Sequence, residues 1–439
     1  MANSLITKLI PRSGFARNVL KLMTGTVISQ AIAVLMIPVI ARLYSPEDYG
    51  IFTRYFGIVM IVSVIITFRY DQMIVLQKKK KDAINLLVLA LMITVAVSLL
   101  SFIIVLIAPE TVSDLFKTEG IGVWLIYLPL SFLLFGIFQI LENYLLRKKD
   151  FNKMRAGTIS QSFTKSIVNI ALGLFSYIKG GLIFGYIAGQ IVVVIIYSAK
   201  RFKSLYLNIR KYFEWNYCLE LARKYRKTVL PLIPTNVLGS LTNYMPFFIL
   251  STYTSGIYGM CFNIVNLPML VIGKALSDVS FKHTIDIINS GNSLAEYIEK
   301  IFARLLVFAI LPVLLLALFA QPLFTFILGA EWRMTGLYVQ ILLPYFFFRF
   351  ITYPITLFVQ TGKTHILLYW QILALLLTVT ALMAGKIFIL SDVGCIILLS
   401  IASSFSYFVM VLINFKISGA KILNTIKEIR RILSKLIYK

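Results

Sequence analysis

The sequence predicts an all-α polytopic membrane protein, with twelve transmembrane helices in two six-helix lobes around a central cavity. Three observations carry this reading. Of 439 residues, 59% are hydrophobic and only 14% charged, and mean hydropathy is +0.87. Soluble domains carry roughly a quarter of charged residues. The charges fall in short segments between apolar runs, and those segments alternate in sign. The longest interruption, 200–227, follows the sixth run and precedes six more.

The expected spans are approximately 18–43, 48–69, 83–107, 121–146, 156–178, 181–199, 228–251, 256–281, 299–319, 333–359, 364–386 and 393–415. The basic N-terminus (Lys8, Arg12, Arg17, Lys21) and Ala31-Ile32-Ala33 imitate a signal peptide. The apolar run continues to Ile40, longer than a signal core of about 7–15 residues, so an uncleaved first span is expected. The stretch Arg42 to Lys81 then sets sidedness. Pro46 and Gly50 punctuate a tight turn, and Glu47 and Asp48 suit the first turn of a helix, where the macrodipole favours negative charge. Tyr49 to Phe68 is long enough to cross a bilayer at about 1.5 Å per residue. Lys78 to Lys81 places its far end in the cytoplasm.

The remaining loops follow the same alternation. Those around Glu47/Asp48, Glu110/Asp114/Glu119 and Glu331 are acidic or mixed, whereas Lys78–Lys81, Arg147–Arg155 and Lys200–Lys227 are basic. Both termini are therefore expected inside. Residues 1–199 form the first lobe, 200–227 a basic interfacial linker with Phe213, Trp215 and Tyr217 among its cations, 228–415 the second lobe and 416–439 a tail. The halves echo one another. Tyr44-Ser45-Pro46-Glu47-Asp48-Tyr49-Gly50 resembles Tyr253-Thr254-Ser255-Gly256-Ile257-Tyr258-Gly259, and Leu128-Pro129 resembles Leu343-Pro344. Six spans being an even number, the halves enter the membrane in the same sense, as parallel repeats.

Gly181, Gly185 and Gly189 lie on one stripe, a spacing that lets helices approach closely. Prolines such as Pro38, Pro129, Pro246, Pro312 and Pro344 interrupt several spans and favour kinks. In the tail, Ile422, Ile426, Ile429, Leu433 and Leu436 recur at helical spacing, with Lys427, Arg430, Arg431 and Lys435 on other faces. That pattern predicts an amphipathic helix on the inner leaflet, in contact with anionic lipids.

The formal net charge of +25 does not indicate nucleic-acid binding, because it is dispersed between apolar spans rather than gathered on a basic domain. Cys218, Cys261 and Cys395 have no metal-ligand spacing, His283 and His365 are the only histidines, and no phosphate loop or hydrolase motif occurs. No catalytic residue, metal or cofactor is expected. Chemistry is therefore sought among intramembrane charges, which cost about 2.5–3.5 kcal/mol at mid-bilayer and face a partner or a wet cavity. The candidates are Arg54, Glu142, Lys165, Lys274, Asp278 and Arg349. Lys274 and Asp278 are four apart and can pair on one helix. Arg54 lies near the outer interface and Arg69 and Asp71 near the inner one, where snorkelling accounts for them. Glu142 is close to Arg147 and Lys148. Lys165 and Arg349 are left near mid-span with no carboxylate within four residues. Either they line the cavity and hold an anionic group, or each is half of a buried ion pair, for instance with Glu142 or Asp278. Gln139, Asn143, Gln161, Asn243 and Asn263 are candidates for hydrogen bonds to sugar hydroxyls.

L-Y-S-P-E-D-Y-G-I-F after the first span and F-R-Y-D-Q-M-I-V-L after the second resemble the polysaccharide (O-antigen type) flippases of the multidrug/oligosaccharidyl-lipid/polysaccharide exporter superfamily. So do Gly329-Ala330-Glu331-Trp332-Arg333-Met334-Thr335-Gly336 and the following helix with Pro344, Phe346, Phe347, Phe348 and Arg349. The resemblance covers nearly the whole chain. It implies a bacterial inner-membrane flippase that moves a polyprenyl-pyrophosphate-linked oligosaccharide outward by alternating access. It also implies a monomer, loosely associated with polysaccharide assembly proteins. Without a nucleotide-binding motif, a coupling ion, the membrane potential or downstream consumption supplies the energy. The alternatives are a multidrug or small-cation antiporter of the same fold, which needs intramembrane carboxylates, and a membrane polysaccharide polymerase, which needs a large polar loop or a convergent catalytic site.

Overall fold

A computed structural model describes residues 14–107, 122–175, 180–199, 202–269, 273–355, 357–358, 360–388 and 391–437. The acidic loop with Glu110, Asp114 and Glu119, and the basic residues Lys8 and Arg12, lie outside the described residues, as do the side chains of Arg17, Lys21 and Leu436. The described regular structure is all helical, and the chain divides into two compact units, one ending at Ser240 and the other beginning at Leu241.

The first unit opens with α1 (Gly14–Leu43) and α2 (Pro46–Ser63). The turn between them has a local cause. The Ser45 hydroxyl accepts from the Asp48 N–H at 3.2 Å, and the Asp48 carboxylate accepts from the Ser45 N–H at 3.3 Å. This reciprocal cap satisfies two N-terminal donors, and Pro46 presets the first helical φ. Tyr44 turns back to donate to the Asn169 carbonyl at 2.7 Å.

The predicted span 48–69 is not one helix. α2 stops at Ser63, and the chain passes to α3 (Tyr70–Leu76) through turns closed three residues back, such as Phe68 N–H to Ile65 O at 3.0 Å. Phe68 and Arg69 both have left-handed backbones, φ 46° and 63°. Such conformations in non-glycine residues cost about 1–3 kcal/mol each and need support from their surroundings. The support is Asp71. Its carboxylate accepts from the Thr67 hydroxyl at 2.6 Å and from the Asn143 amide at 2.8 Å, pinning both sides of the break to α5 (Leu128–Arg147).

α4 (Lys80–Ile107), a 3-10 turn over Gly122–Tyr127, α6 (Phe151–Leu174) and α7 (Gly181–Ser198) complete the long helices of this unit. The basic stretch after α7 folds as α8 (Phe202–Tyr212) and α9 (Trp215–Val229). Their apolar faces close a core with α3, α4 and α5 that includes Tyr70, Ile74, Leu86, Tyr144 and Leu221. Lys81 pairs with Glu214 at 2.8 Å, Asn85 donates to the Tyr212 carbonyl at 2.8 Å, and Tyr217 donates to Asp82 at 2.8 Å. Donation to that carboxylate pushes the Tyr217 phenol up to about 12.

α10 (Leu232–Ile249) carries the boundary between the units. The second unit continues with α11 (Thr252–Pro268), α12 (Lys274–Asn289), α13 (Leu294–Leu328), a 3-10 turn over Ala330–Trp332, α14 (Arg333–Thr352), α15 (Thr364–Ile387), α16 (Asp392–Ser418) and α17 (Ile422–Ile437). The predicted span 256–281 covers most of α11 and the start of α12; residues 270–272 between them lie outside the described residues, and Met269 and Gly273 on either side have right-handed helical backbones. The helix bounds correct the register of the repeat. The N-cap of α11 is Ser251, whose hydroxyl accepts from the Thr254 N–H, so Ser45 corresponds to Ser251 and not to Thr254. In the second echo the two prolines sit at different distances from the helix start. Pro129 sits in the first turn of α5, where no N–H is needed, whereas Pro344 lies well inside α14.

Among the described residues, eight helices are long and apolar enough to cross a membrane: α1, α4, α5 with its preceding turn, α7, α13, α14, α15 and α16. The other four predicted spans fall on α2 with the turns that follow it, on α6, on α10, and on α11 with α12. These four contain Arg54, Lys165, Asn243 and Asn263, and their polar residues lower their hydropathy. They are the helices to search for a site.

Candidate functional site: two caged cations

In the first unit, Lys165 projects from α6 with its Nζ 5.3 Å from the centroid of the Phe52 ring on α2. Phe52 stacks on Phe56 at 5.8 Å, and Phe56 meets Tyr186 of α7 edge-on at 5.6 Å. An ammonium over a ring face is attracted by the quadrupole, worth about 0.5–2 kcal/mol depending on desolvation. The glycine stripe sets this position. A Cβ built at Gly185 would fall 1.8 Å from Asn169 Oδ1 and 3.0 Å from the Lys165 carbonyl. One at Gly189 would lie 3.0 Å from the Gln161 carbonyl and 3.3 Å from Lys165 Cβ. The stripe therefore lets α7 press against the Gln161, Lys165 and Asn169 face of α6.

In the second unit, Arg349 of α14 is enclosed. Its Nη1 donates to the Tyr345 hydroxyl one turn back and reaches Asn243 Oδ1 at 3.5 Å. Its guanidinium carbon lies 5.0 Å from the Phe262 centroid and 5.7 Å from that of Tyr345. Asn243, Tyr258, Tyr345 and Tyr407 border a cavity of about 20 Å³, room for about one water. The cage is made of hydroxyls, an amide and ring faces. Such groups solvate a cation without neutralising it.

Among the described residues neither Lys165 nor Arg349 forms an ion pair with a carboxylate. The expected alternative of a pair between Lys165 and Glu142 is therefore not what the structure contains. The side chains of Lys274 and Asp278 lie outside the described residues. Glu142 is half-buried and engaged in an interaction of its own. Arg54 is 3% exposed and has a partner, so it does not snorkel as the sequence reading expects. The same correction applies to Asp71, 3% exposed and doubly hydrogen-bonded. Gln139 and Asn143 belong to this Asp71 region rather than to the Lys165 cage: the Gln139 amide reaches the Ser63 carbonyl at 3.5 Å. Asn263 is exposed.

The sequence reading misses Phe52, Phe262 and Tyr345 as cation partners. Only Tyr345 had a signal to give, its four-residue spacing from Arg349. The rings of Phe52 and Phe262 come from other helices.

The described regular structure is all helical, with eight helices long and apolar enough to cross a membrane, and solved structures of membrane transporters share this fold. The lipid II flippase MurJ in an inward closed conformation matches with a TM-score of 0.67 at 16% identity, covering 95% of this chain and 91% of that one. The MATE multidrug transporter DinF-BH matches at 0.58 and 15%, covering 90% and 95%. A MOP superfamily transporter from Pyrococcus furiosus matches at 0.55 and 14%, covering 92% and 96%. The fold is that of the MOP superfamily of transporters and flippases. Residues 39–335 match the profile of the polysaccharide biosynthesis protein family, and the chain belongs to that family. Comparison with curated protein sequences finds no match.

Proposed function

We propose that the protein is a flippase for a polyprenyl-pyrophosphate-linked oligosaccharide, an O-antigen or capsule type repeat unit, acting by alternating access in a bacterial inner membrane. The observation that carries this reading is the pair of cations, Lys165 and Arg349, one in each unit, held by rings, hydroxyls and amides and left without a carboxylate partner among the described residues. A membrane protein tolerates such charges where an anion visits them. Pyrophosphate is that anion, and the planar fork of Arg349 suits its oxygens. Membership of a polysaccharide biosynthesis family and likeness to a lipid II flippase support a lipid-linked sugar as cargo.

In this reading both termini are cytoplasmic. Lys79→Cys and Lys149→Cys, in a background without Cys218, Cys261 and Cys395, are protected from an impermeant thiol reagent in intact cells. Ser45→Cys and Glu331→Cys are labelled.

A second reading, a small-cation antiporter of the same fold, has one observation in its favour: the buried Asp71 carboxylate of the first unit. Native mass spectrometry of gently purified protein separates the two. The flippase reading expects a co-purified polyprenyl-linked glycan; protein that carries none and instead exchanges cations for protons in proteoliposomes refutes it.

A further inference from the structure

Beyond the cargo path, α12 and α13 leave the turn at 290–293 and diverge around a cleft of about 780 Å³. Its walls are two helix faces, Leu276, Ser280 and His283 on α12 and Tyr297, Lys300 and Arg304 on α13. Polarity is graded along the cleft. His283 and Tyr297 meet edge-on near the turn, centroids 4.6 Å apart. Lys300 and Arg304 follow one turn apart, and Leu276, Leu305 and Phe308 line the far end.

The charges are available. Among the described residues Lys300 pairs only with Glu296, an exposed couple one turn apart on the same helix, and such pairs hold little energy. Arg304 is exposed and makes no ion pair or hydrogen bond among the described residues.

The depth of the cleft follows from the tail helix. The Glu299 carboxylate accepts from the Lys421 N–H at 2.7 Å and from the Asn424 amide at 3.1 Å, which ties the start of α17 to this level of α13. α17 leaves Ile422, Leu423 and Ile426 exposed by 57%, 67% and 44% and carries Lys427, Arg430 and Arg431. A helix of that kind lies in the headgroup plane. Lys300 and Arg304 are one and five residues from Glu299, within about 8 Å along the helix at 1.5 Å per residue. The cations are therefore at headgroup depth, and the apolar end points into the acyl region.

We propose that this cleft seats an anionic phospholipid, its phosphate held by Arg304, Lys300 and His283 and an acyl chain lying along Leu276, Leu305 and Phe308. A free soluble anion gains nothing from the apolar end, and a zwitterionic lipid gains less from the cations. The assignment to the cytoplasmic leaflet rests on the orientation proposed above; the site itself does not depend on the cargo.

The test uses full-length protein in detergent, titrated with dioleoylphosphatidylglycerol or dioleoylphosphatidylcholine, with bound lipid counted by native mass spectrometry. The wild type retains one phosphatidylglycerol under activation that strips phosphatidylcholine. Arg304→Ala weakens that retention roughly tenfold, equivalent to about 1.4 kcal/mol. Ser280→Trp, which fills the cleft and leaves its cations in place, weakens it as well. Arg431→Ala, an equal loss of charge on the tail, does not. Equal retention of the two lipids, or unchanged phosphatidylglycerol binding in Arg304→Ala, overturns the proposal. So does displacement of phosphatidylglycerol by equimolar polyprenyl phosphate, which would make the cleft a loading site for cargo.

Discussion

The two units solve the same problem, holding a positive charge inside a membrane protein, in different ways. Lys165 rests its ammonium on one ring and has no hydrogen-bond partner among the described residues; its backbone, not its head, is what the glycine stripe constrains. Arg349 is gripped by the Tyr345 hydroxyl, the Asn243 side-chain Oδ1 and two ring faces. A lysine on a flexible stem can follow a moving anion, whereas a guanidinium fixed at several points presents a preorganised fork. The first unit thus has the adaptable cation and the second the rigid one.

Substitution at the rigid cation sharpens this contrast most. Arg349→Ala should lower glycan display per folded molecule by roughly 10- to 100-fold, as expected for loss of charge-assisted hydrogen bonds worth about 1.5–3 kcal/mol. Arg349→Lys should recover only part, since a point charge replaces the fork. Normal abundance with low activity supports a site, and loss of folded protein would make Arg349 a structural residue instead.

Lys165→Ala should cost less, roughly 2- to 30-fold, because one cation–ring contact worth about 0.5–2 kcal/mol and one mobile charge are removed. Lys165→Arg should be nearly neutral if adaptability is what matters there. A larger effect at Lys165 than at Arg349 would reverse the comparison.

Gly185→Ala tests the stripe. The new Cβ meets Asn169 Oδ1 and the Lys165 carbonyl, and overpacking of this kind costs about 1–3 kcal/mol, readable as a lower melting temperature of the purified protein. Gly122→Ala, with open space around the Cβ, is the matched control and should leave it unchanged.

The smallest effect is expected at the helix caps. Ser45→Ala removes a reciprocal cap and Ser251→Ala a cap of another kind, in which Ser251 and Thr254 also donate to Asp392. Each should cost about 1 kcal/mol of stability, measured by thermal unfolding, with transport per folded molecule unchanged.

How much of this was legible differs from element to element. The turn at Leu43–Tyr49 can be read in one dimension, because a cap needs only Ser45, Pro46 and Asp48 at fixed local offsets. The tail is similar: helical spacing of Ile422, Ile426, Ile429 and Leu433 alone predicts the observed helix. The repeat register was misread because short similar strings recur by composition, and only the N-caps at Ser45 and Ser251 show where each helix begins.

The sequence by itself determined that this chain is an all-helical membrane protein with cations inside its spans, since length, hydropathy and charge are properties of residues in order. Tertiary structure alone decided which of those cations are free to act. Asp71 reads as an interfacial residue until Asn143, on another helix, reaches it. Arg349 reads as unsupported until Asn243 and Phe262 surround it. Lys165 reads either as a cavity cation or as half of an ion pair until Phe52, on another helix, is found beneath its ammonium. The physical reason is common to all three. A buried charge is stabilised by whatever lies within about 4–6 Å of it, and in a helical bundle that neighbour comes from a distant part of the chain.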